Sequence, residues 1–120
     1  MNIDFDNNIP IYLQLVEQLK MDIISGKIPL GERLLSVREL ALQIKVNPNT
    51  VQKALTELED LKLIYTERTN GKYVTKDEKL IDKLKKEYAN TLSQKYLDSM
   101  RNIGFTNLET FEYLRKLGGE

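Results

Sequence analysis

Apolar side chains recur at helical spacing through the first half of the chain. Tyr12, Leu15, Val16, Leu19 and Ile23 fall on one face of a helix that starts at Pro10 and runs to about Ser25. Pro10 suits a first turn, which needs no backbone donor there, and Gly26 suits a left-handed stop. Pro29-Leu30-Gly31 spells a turn, followed by a short extended approach over Glu32-Arg33-Leu34-Leu35. Ser36-Val37-Arg38-Glu39 has the hydroxyl-to-carboxylate spacing of a capping box. The helix it opens turns Val37, Leu40, Ala41 and Ile44 inward, then breaks at Val46-Asn47-Pro48 because a residue before proline avoids the helical region. Asn47 caps the next helix and Pro48 takes its first position. Val51, Ala54, Leu55 and Leu58 form the inward stripe there, leaving Asn49, Thr50, Gln52 and Lys53 on the outer face. Two short helices in this order predict a helix-turn-helix.

After Leu61 the period changes. Leu63-Ile64-Tyr65-Thr66 and Tyr73-Val74-Thr75 read as strands, with Asn70-Gly71 as the hairpin turn between them. Arg68 and Lys72 flank that turn, so the predicted hairpin has a basic tip, and Tyr65 and Tyr73 pack across it. A helix-turn-helix followed by such a hairpin is a winged helix. The expected fold is therefore mainly α with a small β-hairpin, a winged helix-turn-helix domain over residues 1–76 and two helices over 77–120. The first tail helix spans Asp77 to about Ile103 and ends at Gly104, with Leu80, Leu84, Tyr88, Leu92, Tyr96 and Met100 spaced four apart. A row at that spacing winds around a straight helix rather than forming a heptad seam. Thr106-Asn107-Leu108-Glu109 is a second capping box, and the helix after it carries Leu108, Phe111, Leu114 and Leu117 along one side. Two helices alone cannot bury this surface, so it either folds back on the winged domain or pairs with a second copy.

Composition narrows the chemistry. The 120 residues contain no Cys and no His, which excludes a disulfide framework, a thiolate zinc site and the commonest general base. No nucleophile–base pair or phosphate-binding glycine loop is present, so the chain is not expected to be an enzyme and no cofactor or metal is expected. The N-terminus is acidic and lacks a secretory pattern, and charge interrupts each apolar stretch well before the ~20 residues of a membrane span. A cytoplasmic protein is the expectation. Lys and Arg total 18 and Asp and Glu total 18, a balance that argues against coating nucleic acid by bulk charge. The average conceals an uneven distribution: residues 33–53 hold Arg33, Arg38, Lys45 and Lys53 against Glu39 alone.

Residues 9–76 resemble the N-terminal domain of the GntR family of bacterial transcription regulators. The resemblance is carried by Pro10-Ile11-Tyr12-Leu13-Gln14, by Gly26 through Leu34, by Ser36-Val37-Arg38-Glu39-Leu40-Ala41, and by Val46-Asn47-Pro48-Asn49-Thr50-Val51-Gln52-Lys53-Ala54. The Asn-Pro-Asn-Thr-Val form with a short helical tail is similar to the YtrA-like branch, which often represses operons for ABC-type transporters. Three positions depart from the family pattern: Leu35 replaces a usual Pro, Lys62 a usual Gly, and Pro48 a frequent Arg. The wing is also not Gly-rich.

The resemblance implies a dimeric regulator, most simply a repressor, that binds an inverted-repeat operator of double-stranded DNA through one recognition helix in each major groove. Arg38 matches a family position that contacts DNA, where a guanidinium can pair with guanine O6 and N7. The competing reading of Arg38 is a solvated side chain paired with Glu39 or Glu32. Asn49, Thr50 and Gln52 suit base edges and phosphates, and Lys53 a phosphate, or else simple solvation. Ser36 and Asn47 cap their helices and stand close enough to the expected interface to touch DNA, while Arg68, Asn70, Gly71 and Lys72 at the wing suit the backbone or minor groove. A homodimer through the tail is expected to use Leu80, Leu84, Tyr88, Leu92, Tyr96, Met100, Phe111 and Leu114. A monomer with a packed tail is the other arrangement. The 44-residue tail is too short for a separate metabolite-binding domain, and no polar cluster names a small-molecule effector. The alternative function is a winged-helix protein-interaction module without specific DNA binding.

Overall fold

A computed structural model describes residues 3–119 of the chain; Met1, Asn2 and Glu120, at the outer ends of the two expected segments, lie outside them. The order is α1 (Ile11–Ile24), α2 (Val37–Ile44), α3 (Pro48–Asp60), β1 (Ile64–Glu67), β2 (Gly71–Val74), α4 (Glu78–Asn102) and α5 (Asn107–Gly118). The chain forms two compact units, one ending at Asp82 and the other starting at Lys83.

In the first unit Gln14 fixes the entry to α1. Its side-chain amide donates to the carbonyls of Asp6 at 2.7 Å and Ile9 at 2.8 Å, and accepts from the Asp6 amide at 2.7 Å. Leu15, Val16, Leu19 and Ile23 are buried as their spacing predicts, whereas Tyr12 is only half-buried. Helix α1 packs on α3, and α2 packs on the same helix. Val51, Ala54, Leu55 and Leu58 are fully enclosed, which places α3 at the centre of this core. Removing the side chain of such a leucine costs about 2–5 kcal/mol, so the inward stripe fixes the direction of the outward one. On α2 only Leu40 and Ala41 are buried; Val37 and Ile44 at its two ends are half-covered.

Both α2 and α3 finish on a lysine in the left-handed region, Lys45 at φ 57° and Lys62 at φ 67°. After α3 the amides of Lys62 and Leu63 return to the carbonyls of Glu59 and Leu58, a Schellman closure that usually employs glycine. A side chain there costs about 1–2 kcal/mol, partly offset by the lower chain entropy of a non-glycine residue. Lys62→Gly is thus expected to stabilise the protein by about 0.5–1 kcal/mol, read as a higher urea midpoint with an unchanged denaturant slope.

The hairpin pairs Ile64 with Val74, Tyr65 with Tyr73, Thr66 with Lys72 and Glu67 with Gly71. The tyrosine rings stack across it, centroids 5.9 Å apart. The turn differs from the expected one: the loop is Arg68-Thr69-Asn70, and Gly71 is the first residue of β2 at φ 99°. The positive φ favours glycine there, while a Cβ at Gly71 would only come into ordinary contact with the flexible Arg33 side chain, 3.4 Å from its Nε. The approach after the Pro29–Glu32 turn becomes part of the sheet. Gly31 and Leu34 donate to the carbonyls of Val74 and Lys72, Val74 donates to Glu32, and Arg33 bridges Tyr73.

In the second unit α4 closes with a Schellman motif: Phe105 and Gly104 donate to the carbonyls of Met100 and Arg101, with Gly104 at φ 98°. Thr106 and Glu109 form the expected capping box on α5. Met100 and Thr110 are buried, and the Phe105 and Tyr113 rings meet edge to face at 5.8 Å. Every other described residue of α5 is exposed.

Candidate DNA interface

The outward groups of the helix-turn-helix are held by local caps. Ser36 Oγ accepts the Glu39 amide at 3.1 Å while Glu39 Oε1 accepts the Ser36 amide at 3.0 Å, which ties off the start of α2. Asn47 Oδ1 accepts the Asn49 amide at 2.8 Å, and Pro48 follows at the first position of α3. Both side chains expected near DNA are therefore structural caps first; the Ser36 hydroxyl proton and the Asn47 amide group stay available as donors.

Arg38 is exposed on α2 and forms no hydrogen bond or ion pair among the described residues. The Glu39 carboxylate that could have neutralised it is committed to the Ser36 cap. Hydrogen bonds from the Ser36 backbone and side chain, then the charge of Arg33, hold Glu39 below the ordinary value of 4.5. On α3, Asn49, Gln52 and Lys53 are exposed and Thr50 is half-covered. Gln52 leans along the helix, donating to Thr56 Oγ1 at 3.3 Å. The Lys53 ammonium stands 3.9 Å from the centroid of the Tyr12 ring. Ile11, Tyr12, Asn49, Thr50 and Lys53 line a shallow concavity of about 430 Å³. No acidic residue occurs from Leu40 to Thr56.

The wing divides into a free tip and an anchored base. Arg68 and Asn70 are exposed in the loop. Lys72 is half-buried and reaches Glu59 on α3 at 3.2 Å and Thr66 Oγ1 at 3.0 Å. Glu59 also accepts from Thr66, and that bond, followed by Lys72, lowers its pKa from 4.5. Lys72 thus ties the hairpin to α3. Two residues not assigned to the interface from sequence stand beside assigned ones: Arg33 lies against Gly71, and Tyr12 against Lys53.

Glu39, Glu59 and Glu109 all sit below the ordinary glutamate value, the last through the Thr106 cap. Unfolded, each takes up a proton near pH 4.5; folded, each resists until lower pH. Their contribution is full above that value and is lost as pH falls through the folded pKa. Melting temperature is expected to hold down to about pH 5 and then drop. Glu59→Gln should flatten part of that drop, while costing about 0.5–1 kcal/mol at neutral pH.

Of the side chains expected on a tail dimer face, Leu92 is 66% exposed, Phe111 51%, Leu114 41% and Tyr96 36%. Leu92, Ser93, Tyr96, Leu97, Phe111 and Leu114 surround an apolar concavity of about 310 Å³. Leu84 and Tyr88 are half-buried, and Leu80 is half-buried within the winged unit. Met100 is only 8% exposed, unlike Leu92 and Tyr96 earlier in the same four-apart row. Among the described residues no helix is long and apolar enough to cross a membrane, and no cluster of His, Cys, Asp and Glu could hold a metal ion.

Comparison with known proteins places this geometry. Residues 11–74, more than half the chain, match the family described as bacterial regulatory proteins, gntR family. The HTH-type transcriptional repressor YtrA of Bacillus subtilis (strain 168) is 43% identical over 79 residues, which cover 66% of this chain and 61% of that protein. A GntR family transcriptional regulator from Listeria monocytogenes has the same fold at a TM-score of 0.83 and 38% identity, over 93% of this chain and 98% of that one. The AraR DNA-binding domain in complex with operator ORX1 gives a TM-score of 0.56 at 25% identity, over 62% of this chain and 95% of that one. These relatives are transcription regulators rather than enzymes. With a winged helix-turn-helix of this pattern and a two-helix tail, the chain belongs to the GntR family of bacterial transcription regulators, in its YtrA-like form.

Proposed function

We propose that this protein is a cytoplasmic repressor that binds an inverted-repeat operator as a homodimer, each protomer placing α3 in a major groove. The observation that carries the reading is the uncovered outer surface of α2 and the first turns of α3, with no acidic residue from Leu40 to Thr56, where Arg38 has no internal partner among the described residues and Asn49, Gln52 and Lys53 face outward. The similarity to the YtrA repressor and to a domain solved on its operator supports it. A two-fold dimer doubles the sequence read, which one helix-turn-helix needs for genomic specificity. The exposed Leu92, Tyr96, Phe111 and Leu114 support dimerisation through the tail. An ABC-type transporter operon is the proposed target, following the branch that the chain resembles.

Electrophoretic titration of genomic fragments over a range of salt tests this reading. A small set of fragments should be retarded in preference to the rest, and sequencing them should reveal a shared inverted repeat. Absence of retardation even at low salt would leave the neutral chain as a protein-interaction module.

A further inference from the structure

Among the outward groups of α3, Lys53 rests on an aromatic ring. Tyr12 recurs with Leu15 and Leu19 at core spacing, yet it is only half-buried, and its ring carries the Lys53 ammonium at 3.9 Å. No carboxylate pairs with Lys53 among the described residues. The distinction matters for a polyanion. A carboxylate would fix the lysine and cancel its charge, whereas a ring face fixes it and leaves the charge intact. One side of the ammonium meets the ring while its other N–H bonds remain directed elsewhere. A lysine otherwise loses the freedom of its four-carbon stem on gripping a phosphate, and a ring that holds it in advance removes part of that loss. Both side chains line the concavity that also takes in Asn49 and Thr50.

We propose that Tyr12 is a positioning residue for DNA binding, its ring holding the Lys53 ammonium in place for one backbone phosphate per protomer; the proposal rests on the operator-binding reading above. A phosphate held this way carries no sequence information, so its effect should be alike on all duplexes.

The test uses the full chain with two probes, a duplex selected by the wild type from a random pool and a random-sequence duplex, each titrated over a salt series. Tyr12→Leu should weaken binding to both by about two- to fivefold per protomer, and Tyr12→Phe, which keeps the ring, should restore it. Lys53→Ala should weaken both and reduce the salt slope by about one per protomer. Adding Tyr12→Leu to Lys53→Ala should change nothing further. Additive effects in the double variant, or a Tyr12→Phe protein as weak as Tyr12→Leu, overturn the positioning role. Binding with an unchanged salt slope in Lys53→Ala also overturns it while the operator-binding reading stands. If no duplex is selected or retarded, both fall together. Should Tyr12→Leu fail to fold, an upfield ring-current shift of the Lys53 Cε protons in the wild type and Tyr12→Phe supports the arrangement, and its absence rejects it.

Discussion

Arg38→Ala is expected to lower operator affinity by about 1–3 kcal/mol for each base pair that the guanidinium reads, and so by about 2–6 kcal/mol for a dimer that places two copies. The effect should fall on the selected operator and scarcely on a random duplex, because a guanidinium on guanine reads sequence whereas one on a phosphate does not. Folding should be untouched: Arg38 is exposed, makes no internal bond among the described residues, and alanine is a better helix former. Fluorescence anisotropy on both duplexes measures the ratio. An Arg38→Ala protein that keeps its preference for the operator would remove Arg38 from base reading, and the recognition would then have to lie with Asn49 and Gln52.

The second large effect is expected in the tail. Phe111 is 51% exposed and borders the apolar concavity with Leu92 and Leu114. Covering such a side chain contributes about 1.5–3 kcal/mol, and a two-fold interface contains it twice. Phe111→Asp should therefore weaken dimerisation by about 3–6 kcal/mol, roughly a hundredfold to ten-thousandfold, and operator affinity should fall with it. Leu92→Asp, on the neighbouring helix, should do the same, whereas Met100, already buried, is a poor position for this test. Sedimentation velocity reports the assembly state. A wild-type chain that sediments as a monomer at micromolar concentration and on DNA would reject the tail dimer.

Short-range chemistry decides what can be read from the sequence. The Ser36–Glu39 and Thr106–Glu109 boxes, the Asn47-Pro48 start and the Gly104 stop each lie within a few residues, and each is realised. The stripe from Val51 to Leu58 is equally legible, because a helix facing a core has to repeat. The remainder depends on partners far along the chain. Asn70-Gly71 reads locally as a two-residue turn, but the approach of Arg33 to Gly71 accompanies a loop one residue earlier. Lys72 reads as a wing cation, and nothing near it in sequence announces Glu59 on α3. Tyr12 matches core periodicity, which cannot separate a ring that closes the core from one that carries a lysine. Lys62, where a glycine would be expected, lowers the legibility of the end of α3 without changing it.

The stretch from Gly31 to Leu34 has a further effect. By pairing along β2 it leaves β1 as the one strand of the hairpin without a second neighbour among the described residues, and β1 is four residues long and ends on Glu67. Unpaired strand edges recruit other chains into aggregates, and short, charged edges resist this. A wing has to project from its domain to reach a groove, so it is the part of such a protein most open to edge-to-edge sticking. Here a short piece of an otherwise irregular connection protects it, and a change that frees that piece, such as a proline at Leu34, would threaten solubility before it disturbed recognition.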